Sequence, residues 1–269
     1  MKHAILCIGA SDSSAGTGVQ ADIKTALAYK VYATTCITVV ASQNTRGIAK
    51  SHILPADMVI AQIKTVIDDF EPAVVKLGML GSTEIIDAVG DFLDVYGDKL
   101  KVVIDPVMTN RAENVLLEKK AKDALKRRLL IHADFLTPNV SEISELTGAH
   151  IKDVDQLTHA AEMLHTLGAK VVVAKGSEIP GETFQDIYLD EYGPVMLGCK
   201  RASGKNTHGA GTTLACGIAC GLALGMENYK AFQTAHDFMT QAIEAGPRFG
   251  KGVHGPLNHT LRLPVGDDL

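Results

Sequence analysis

The sequence predicts an α/β fold, a single domain with a central, mostly parallel sheet and helices on both faces, from three observations. Short apolar runs rich in β-branched residues alternate with segments of helical spacing along the chain. Glycine or polar residues repeatedly stand where those runs stop. No long linker, low-complexity tract or repeat divides the 269 residues, a length that fits one large α/β unit. Strands joined through helices lie parallel, and the helices then cover both faces of the sheet.

Residues 4–8 (AILCI) form a short buried strand that stops at Gly9-Ala10-Ser11-Asp12. The small-residue segment 13–18 leads into a helix with Val19, Ile23, Ala26 and Leu27 at helical spacing. Strand, glycine-containing loop and helix in this order put ligands at strand ends in open α/β sheets. Residues 32–41 read as strand, 56–70 as helix, 73–77 as strand, 83–95 as helix, and 102–104 as a strand ending at Asp105. A helix over 118–130 precedes a strand end at Phe135-Leu136, and two more helical segments run to residue 167. The run 170–174 (KVVVA) ends at Lys175-Gly176, and 183–188 with 195–200 fit a hairpin around the turn-rich DEYGP. The stretch 206–225, NTHGAGTTLACGIACGLALG, opens with turn residues and becomes a proline-free apolar run, the pattern of a loop opening a buried helix. A last helix spans 229–245 before a glycine-rich end.

Composition narrows the partners. Lys and Arg number 26 against 31 Asp and Glu, and neither sign gathers in a tail, so neither nucleic acid nor a membrane surface is expected and a small-molecule substrate is. The five cysteines (Cys7, Cys36, Cys199, Cys216, Cys220) are odd in number, lie mostly in apolar runs and lack CxxC spacing, so they read as reduced thiols of a cytoplasmic protein. The N-terminal apolar run is too short for a signal peptide, and the run 214–226 is too short to cross a bilayer.

The stretch around 209–211 carries the first chemical signal. Gly209 and Gly211 let consecutive N–H groups converge, and the helix that follows adds the partial positive charge of its N-terminus, a geometry that binds an anion. Taken alone, a Gly-x-Gly reads first as a flexible turn whose small residues pack closely, ahead of an anion site. Asp12, Asp105, Asn139, Glu142 and Lys175 supply acidic groups for a divalent ion and a cation for phosphate charge, the functions that phosphoryl transfer needs. There is no GxxxxGK[ST] loop, so a nucleotide would need another phosphate cradle.

The segments GASDSSAGTGVQADIKT, ITVVASQNTRG, VKLGML, VIDPVM, LTPNVSE, VAKGS, NTHGAGTT and HGPLNH, in this order, resemble the hydroxymethylpyrimidine and phosphomethylpyrimidine kinases of thiamin biosynthesis, within the ribokinase-like superfamily. The resemblance runs from about residue 4 to 259. It implies ATP with Mg2+, phosphorylation of 4-amino-5-hydroxymethyl-2-methylpyrimidine and then of its monophosphate, and a homodimer. It places the pyrimidine among Ala10, Asp12, Thr17, Ala41, Gln43 and Met79. Gln43 suits that role, because one amide both donates to a ring nitrogen and accepts from an amine; it equally reads as a cap on a turn. Met79 equally reads as core filling. Asp105 and Glu142 look like the family's metal residues, with Asn139, Lys175 and His208 near the nucleotide and Gly209, Ala210, Gly211 and Thr212 in the catalytic loop. Asn139 and Glu142 also fit a capping box. For His208 a turn-stabilising role is favoured over catalysis, and for His254 and His259 a structural one.

The chain departs from the family at the position of the substrate base. Relatives carry Cys or Asp there; this sequence has Thr212, whose hydroxyl is not ionised near neutral pH. Cys216, one helical turn on and about 6 Å deeper, is a poor replacement and reads as a packing residue. The first loop is less glycine-rich, with Ala15 and Thr17, and residues 109–114 (TNRAEN) stand in place of the family's Lys-Ser-Gly-Asp-like segment, a change expected to alter a flap over the nucleotide. A pyridoxal or pyridoxine kinase, and a catalytically weak pyrimidine- or nucleotide-binding protein, are the competing readings.

Overall fold

The structure is a computed structural model and describes residues 3–108, 117–201, 206–246 and 249–261; the expected flap at 109–114 and the thiol of Cys199 lie outside the described residues. The strands are β1 (Ala4–Asp12), β2 (Tyr32–Asn44), β3 (Gly47–Ile53), β4 (Val74–Leu77), β5 (Lys101–Ile104), β6 (Phe135–Leu136), β7 (Val171–Ala174), β8 (Thr183–Asp190) and β9 (Gly193–Lys200). The helices are α1 (Gly18–Ala28), α2 (Ala56–Phe70), α3 (Thr83–Tyr96), α4 (Lys119–Arg128), α5 (Val140–Thr147), α6 (Val154–Thr166), α7 (Ala210–Ala223) and α8 (Asn228–Glu244). Among the described residues the strands form one sheet in the order β3-β2-β1-β4-β5-β6-β7-β8-β9. The six from β2 to β7 are parallel, while β3, β8 and β9 are antiparallel to their neighbours.

Alternation along each strand splits the core between the two faces. In β1, Leu6 and Ile8 join the core under α2 to α6, whereas Ile5 and Cys7 join the core under α1, α7 and α8. Each fully buried Leu, Ile or Val contributes about 1.5–3 kcal/mol relative to exposure, so these two layers supply most of the driving force. Helix α7 is buried on nearly every side. A Cβ at Gly217 or Gly221 would fall 2.8 or 2.9 Å from the methyl groups of Ala235 or Ala231, so the missing side chains let α8 lie directly on α7.

The sequence-based elements recur with shifts of a few residues, including the hairpin β8–β9, and one strand was missed. β3 pairs with β2 through Val39 opposite Ile53, but its residues GIAKSHI are largely exposed at the sheet edge and show no apolar alternation. The chain leaves β1 outward to β2 and β3, then crosses to β4 on the other side of β1. This reversal opens a crevice at the carboxyl ends of β1 and β4, where ligands bind in open α/β sheets. Among the described residues no helix is long and apolar enough to cross a membrane.

Candidate active site

The loop after β1 is built around Asp12. Its Oδ1 accepts from Ser14 N and Ser14 Oγ (2.8 and 2.7 Å), and its Oδ2 accepts from Gly16 N and Thr17 N (3.1 and 3.0 Å). Burial would push this carboxyl up, but His208 and the Ser14 and Thr17 donors outweigh it and hold Asp12 below its ordinary value. The carboxylate expected at the substrate therefore spends its acceptor capacity on shaping the loop. Ala15 takes a left-handed conformation (φ 56°) within it. Thr17 caps α1, its Oγ1 accepting from Gly18 N at 2.6 Å.

The N-terminus of α7 packs directly on this loop. Gly209, the N-cap of α7, has φ 98°, and a Cβ there would overlap the Gly16 carbonyl oxygen, so only glycine fits. The contact brings Thr212 Oγ1 to 3.1 Å from Thr17 Oγ1. Ala210 N donates to Thr207 O at 3.3 Å, whereas the N–H groups of Gly209, Gly211 and Thr212 meet no acceptor among the described residues. Of the expected anion-hole donors, Ala210 is thus turned back into its own loop. His208 lies against Gly16, with Nε2 3.2 Å from Gln43 Nε2 and 3.6 Å from Asp12 Oδ2. His254 bonds Thr207 at 3.1 Å and His259 bonds Thr213 at 2.8 Å, the structural roles expected of both; burial pushes His259 down to about 4.

On the other side of Gly211 stands a charged group. A Cβ at Gly211 would lie 3.1 Å from Lys175 Nζ and 3.8 Å from both Asp105 carboxylate oxygens. Lys175 Nζ is 3.3 Å from Asp105 Oδ1, and both residues end buried strands. Lys175 N donates to Pro138 O, which sets Lys175 beside Asn139 at the ends of β7 and β6. Asn139 and Glu142 form the capping box of α5: Glu142 N donates to Asn139 Oδ1 and Asn139 N to Glu142 Oε2, both at 2.8 Å. Burial pushes Glu142 up to about 7, aided by Asp105 and opposed by Lys175. Burial would lower Lys175, but Asp105 and Glu142 raise it, so the ammonium stays charged.

The structure therefore gathers Asp12, Thr17, Gln43, His208 and Thr212 on one side of the α7 terminus and Asp105, Asn139, Glu142 and Lys175 on the other. Ala41 pairs with Asp12 across β1–β2, and a Cβ at Gly9 would sit 3.8 Å from Met79 N, so Ala41 and Met79 flank the carboxyl end of β1 on its two sides. Met79 is only partly buried, and its carbonyl accepts from Thr38 Oγ1 at 2.6 Å.

One feature escaped sequence reasoning. Lys76 and Asp22, 2 and 0 % exposed, form an ion pair at 3.0 Å beneath the site, between β4 and α1. Burial pushes Asp22 up to about 6 against the pull of Lys76. Cys7 and Cys216 border Asp22, and Cys216 Sγ donates to Asp22 O, so Cys216 is a packing residue as expected. The available signal was a lysine inside the otherwise apolar four-residue strand VVKL.

Comparison with known proteins agrees with this architecture. The family model described as phosphomethylpyrimidine kinase matches residues 12–258. The Haemophilus influenzae hydroxymethylpyrimidine/phosphomethylpyrimidine kinase is 40% identical over 261 residues, covering 95% of this chain and 96% of its own. An Arabidopsis thaliana thiamine biosynthetic bifunctional enzyme is 39% identical over 96% of this chain, which spans only 50% of that longer relative. Among solved structures, the Clostridium difficile phosphomethylpyrimidine kinase superposes with a TM-score of 0.80 at 35% identity, covering 90% of this chain and 99% of its own. A Staphylococcus aureus pyridoxal kinase in complex with AMP-PCP and pyridoxal superposes at 0.87 with 29% identity, covering 96 and 93%. The fold and the ordered strand-end motifs thus have one common source: the chain belongs to the phosphomethylpyrimidine kinase family.

Proposed function

We propose that the chain transfers the γ-phosphoryl group of ATP to hydroxymethylpyrimidine and then to its monophosphate, as a cytoplasmic homodimer serving thiamin biosynthesis. The observation that carries this reading is the position of Lys175 and Asp105 beside Gly211 in the first turn of α7, with Gln43 and Thr17 across the same helix terminus. Phosphoryl transfer rests mainly on positioning and electrostatics, and a helix N-terminus beside a buried ammonium supplies both.

Nucleotide phosphates would meet Lys175 and Asn139, the pyrimidine would lie against Gln43 and Met79, and its hydroxymethyl group would face Thr212. Asp105 and Glu142 bring two carboxyl groups to the single ammonium of Lys175, and oxygen donors suit Mg2+, so these residues fit the ion. When bound, Mg2+ would neutralise phosphate charge; the chain's own contribution is to hold the phosphates at Lys175 and the donors of α7. The stacked and partly exposed rings of Tyr32 and Phe70 give the homodimer an apolar surface to use.

A pyridoxal kinase activity is the second reading, favoured by the 0.87 TM-score of the S. aureus pyridoxal kinase. Turnover of hydroxymethylpyrimidine and pyridoxal by the same preparation separates them. The expected result is a higher kcat/KM for the pyrimidine; equal or faster pyridoxal phosphorylation would reverse the order. Tight pyrimidine binding with no product from either ring would support the catalytically weak binder.

A further inference from the structure

Gln43 is held in an unusual way. Ser13 Oγ accepts from Gln43 N and donates to Gln43 O, each at 2.8 Å, so the main chain is clamped and only the side-chain amide is left to turn. Among the described residues that amide reaches one group, Nε2 of His208, at 3.2 Å. His208 is itself fixed: its ring lies on Gly16, where a Cβ would overlap it, and its backbone N donates to Gly255 O at 3.0 Å. The carboxylate beside Nε2, Asp12 Oδ2, is 3.6 Å away, and both Asp12 oxygens already accept two loop donors each. The Gln43 amide nitrogen, at 3.2 Å against 3.6 Å for Asp12 Oδ2, is the nearer polar partner of Nε2, and two nitrogens at that distance pair when the amide donates to the ring.

We propose that His208 is a specificity-determining residue that fixes which way the Gln43 amide faces. This rests on the reading above that Gln43 meets the substrate ring. An amide carries an acceptor on one side and two donors on the other. With Nε2 of His208 as acceptor, one N–H of Gln43 is anchored, and its oxygen and second N–H remain for the ligand. That pair matches an edge where an amine donor adjoins a ring nitrogen, as in an aminopyrimidine. With a proton on Nε2 the amide turns over, its oxygen is taken by His208, and the ligand meets two donors. Such an amide suits a ring edge that carries acceptors alone. One histidine tautomer thus sorts amine-bearing from amine-free rings, although His208 need not touch either.

The test pairs His208→Phe, which keeps a ring on Gly16 but removes the acceptor, with Gln43→Ala and the double variant. Losing one hydrogen bond that orients the ligand corresponds to about a tenfold change. In His208→Phe, KM for hydroxymethylpyrimidine should rise about tenfold, its preference over pyridoxal should fall by the same factor, and KM for ATP should not move. His208→Phe in the Gln43→Ala background should add nothing. Equal losses for both rings, or additive effects of the two substitutions, would overturn the proposal. A second readout needs neither turnover nor a variant of His208: imidazole 15N spectra of the wild type should show Nε2 unprotonated, and its resonance should move in Gln43→Ala. A protonated Nε2, or a resonance indifferent to Gln43, would overturn it as well. Wild-type protein that phosphorylates neither ring would defeat the kinase reading while leaving the 15N result to decide this one.

Discussion

Thr17 Oγ1 and Thr212 Oγ1 lie 3.1 Å apart and tie the N-terminus of α1 to that of α7. Thr17 Oγ1 accepts from Gly18 N, and either hydroxyl can donate across the Thr17–Thr212 contact; when Thr17 is the donor, the Thr212 hydrogen is left to point at a ligand. Thr212 offers a hydroxyl donor at the position where the family resemblance implies a base. Thr212→Val keeps shape and removes that donor; kcat/KM should fall about tenfold and stability by about 1 kcal/mol, read by kinetics and denaturant unfolding. Unchanged kinetics would show that the hydroxyl does not face the substrate.

Lys175 stands beside Gly211 in the first turn of α7. Lys175→Met should lower kcat by about 10²–10³-fold, the usual cost of one group that stabilises transferring charge, with little change in pyrimidine binding measured by calorimetry. Loss of pyrimidine binding with retained kcat would move Lys175 to the ring side of the site.

Glu142 gives a pH-dependent prediction. Its folded value of about 7 lies above its ordinary 4.5, so between these values the folded state binds more protons and stability falls as pH rises. Glu142→Gln escapes that loss and can still accept from Asn139 N. The variant should match the wild type at pH 4 and exceed it by about 2 kcal/mol at pH 8 in chemical unfolding, while its Mg2+-dependent turnover falls at least tenfold, an order typical of lost metal groups. A stability advantage independent of pH would refute the buried-charge account.

Lys76→Met strands the Asp22 carboxylate in the core. Breaking a buried pair costs about 3–5 kcal/mol, whereas replacing both partners with apolar residues is often neutral. Lys76→Met should therefore be strongly destabilised at pH 8 and less so at pH 5, where Asp22 is protonated, and Lys76→Met with Asp22→Leu should recover most of the loss. A double variant as unstable as the single one would mean that the pair's shape, not its charge, is what the core requires.

The parts of this architecture that were legible in the sequence are those signalled locally. Asp105 and Lys175 stand where β-branched runs stop, and the loop 206–212 announces a helix start by composition. Family motifs in fixed order supplied the rest of the active-site residues. Pairings distant in sequence were not legible: Asp22 and Lys76 are 54 residues apart, and nothing local marks either as the other's partner. β3 was invisible because an exposed edge strand needs no apolar pattern, only β2 to pair with. The capping box of Asn139 and Glu142 was read correctly, yet the burial that shifts Glu142 arises only when α5 packs beside Lys175 and Asp105. Asp12 shows the reverse case, since an acidic residue in a glycine-containing loop suggests a ligand contact while its oxygens are filled by the loop itself.

The central claim is that this site transfers a phosphoryl group without a side-chain base at position 212. The most direct measurement is single-turnover formation of phosphorylated pyrimidine from hydroxymethylpyrimidine, ATP and Mg2+, comparing wild type with Thr212→Cys by direct product detection. The account predicts product from the wild type and a rate increase of up to about 10²–10⁴-fold in Thr212→Cys, the range a positioned base supplies. Product from Thr212→Cys alone, with none from the wild type, would contradict it.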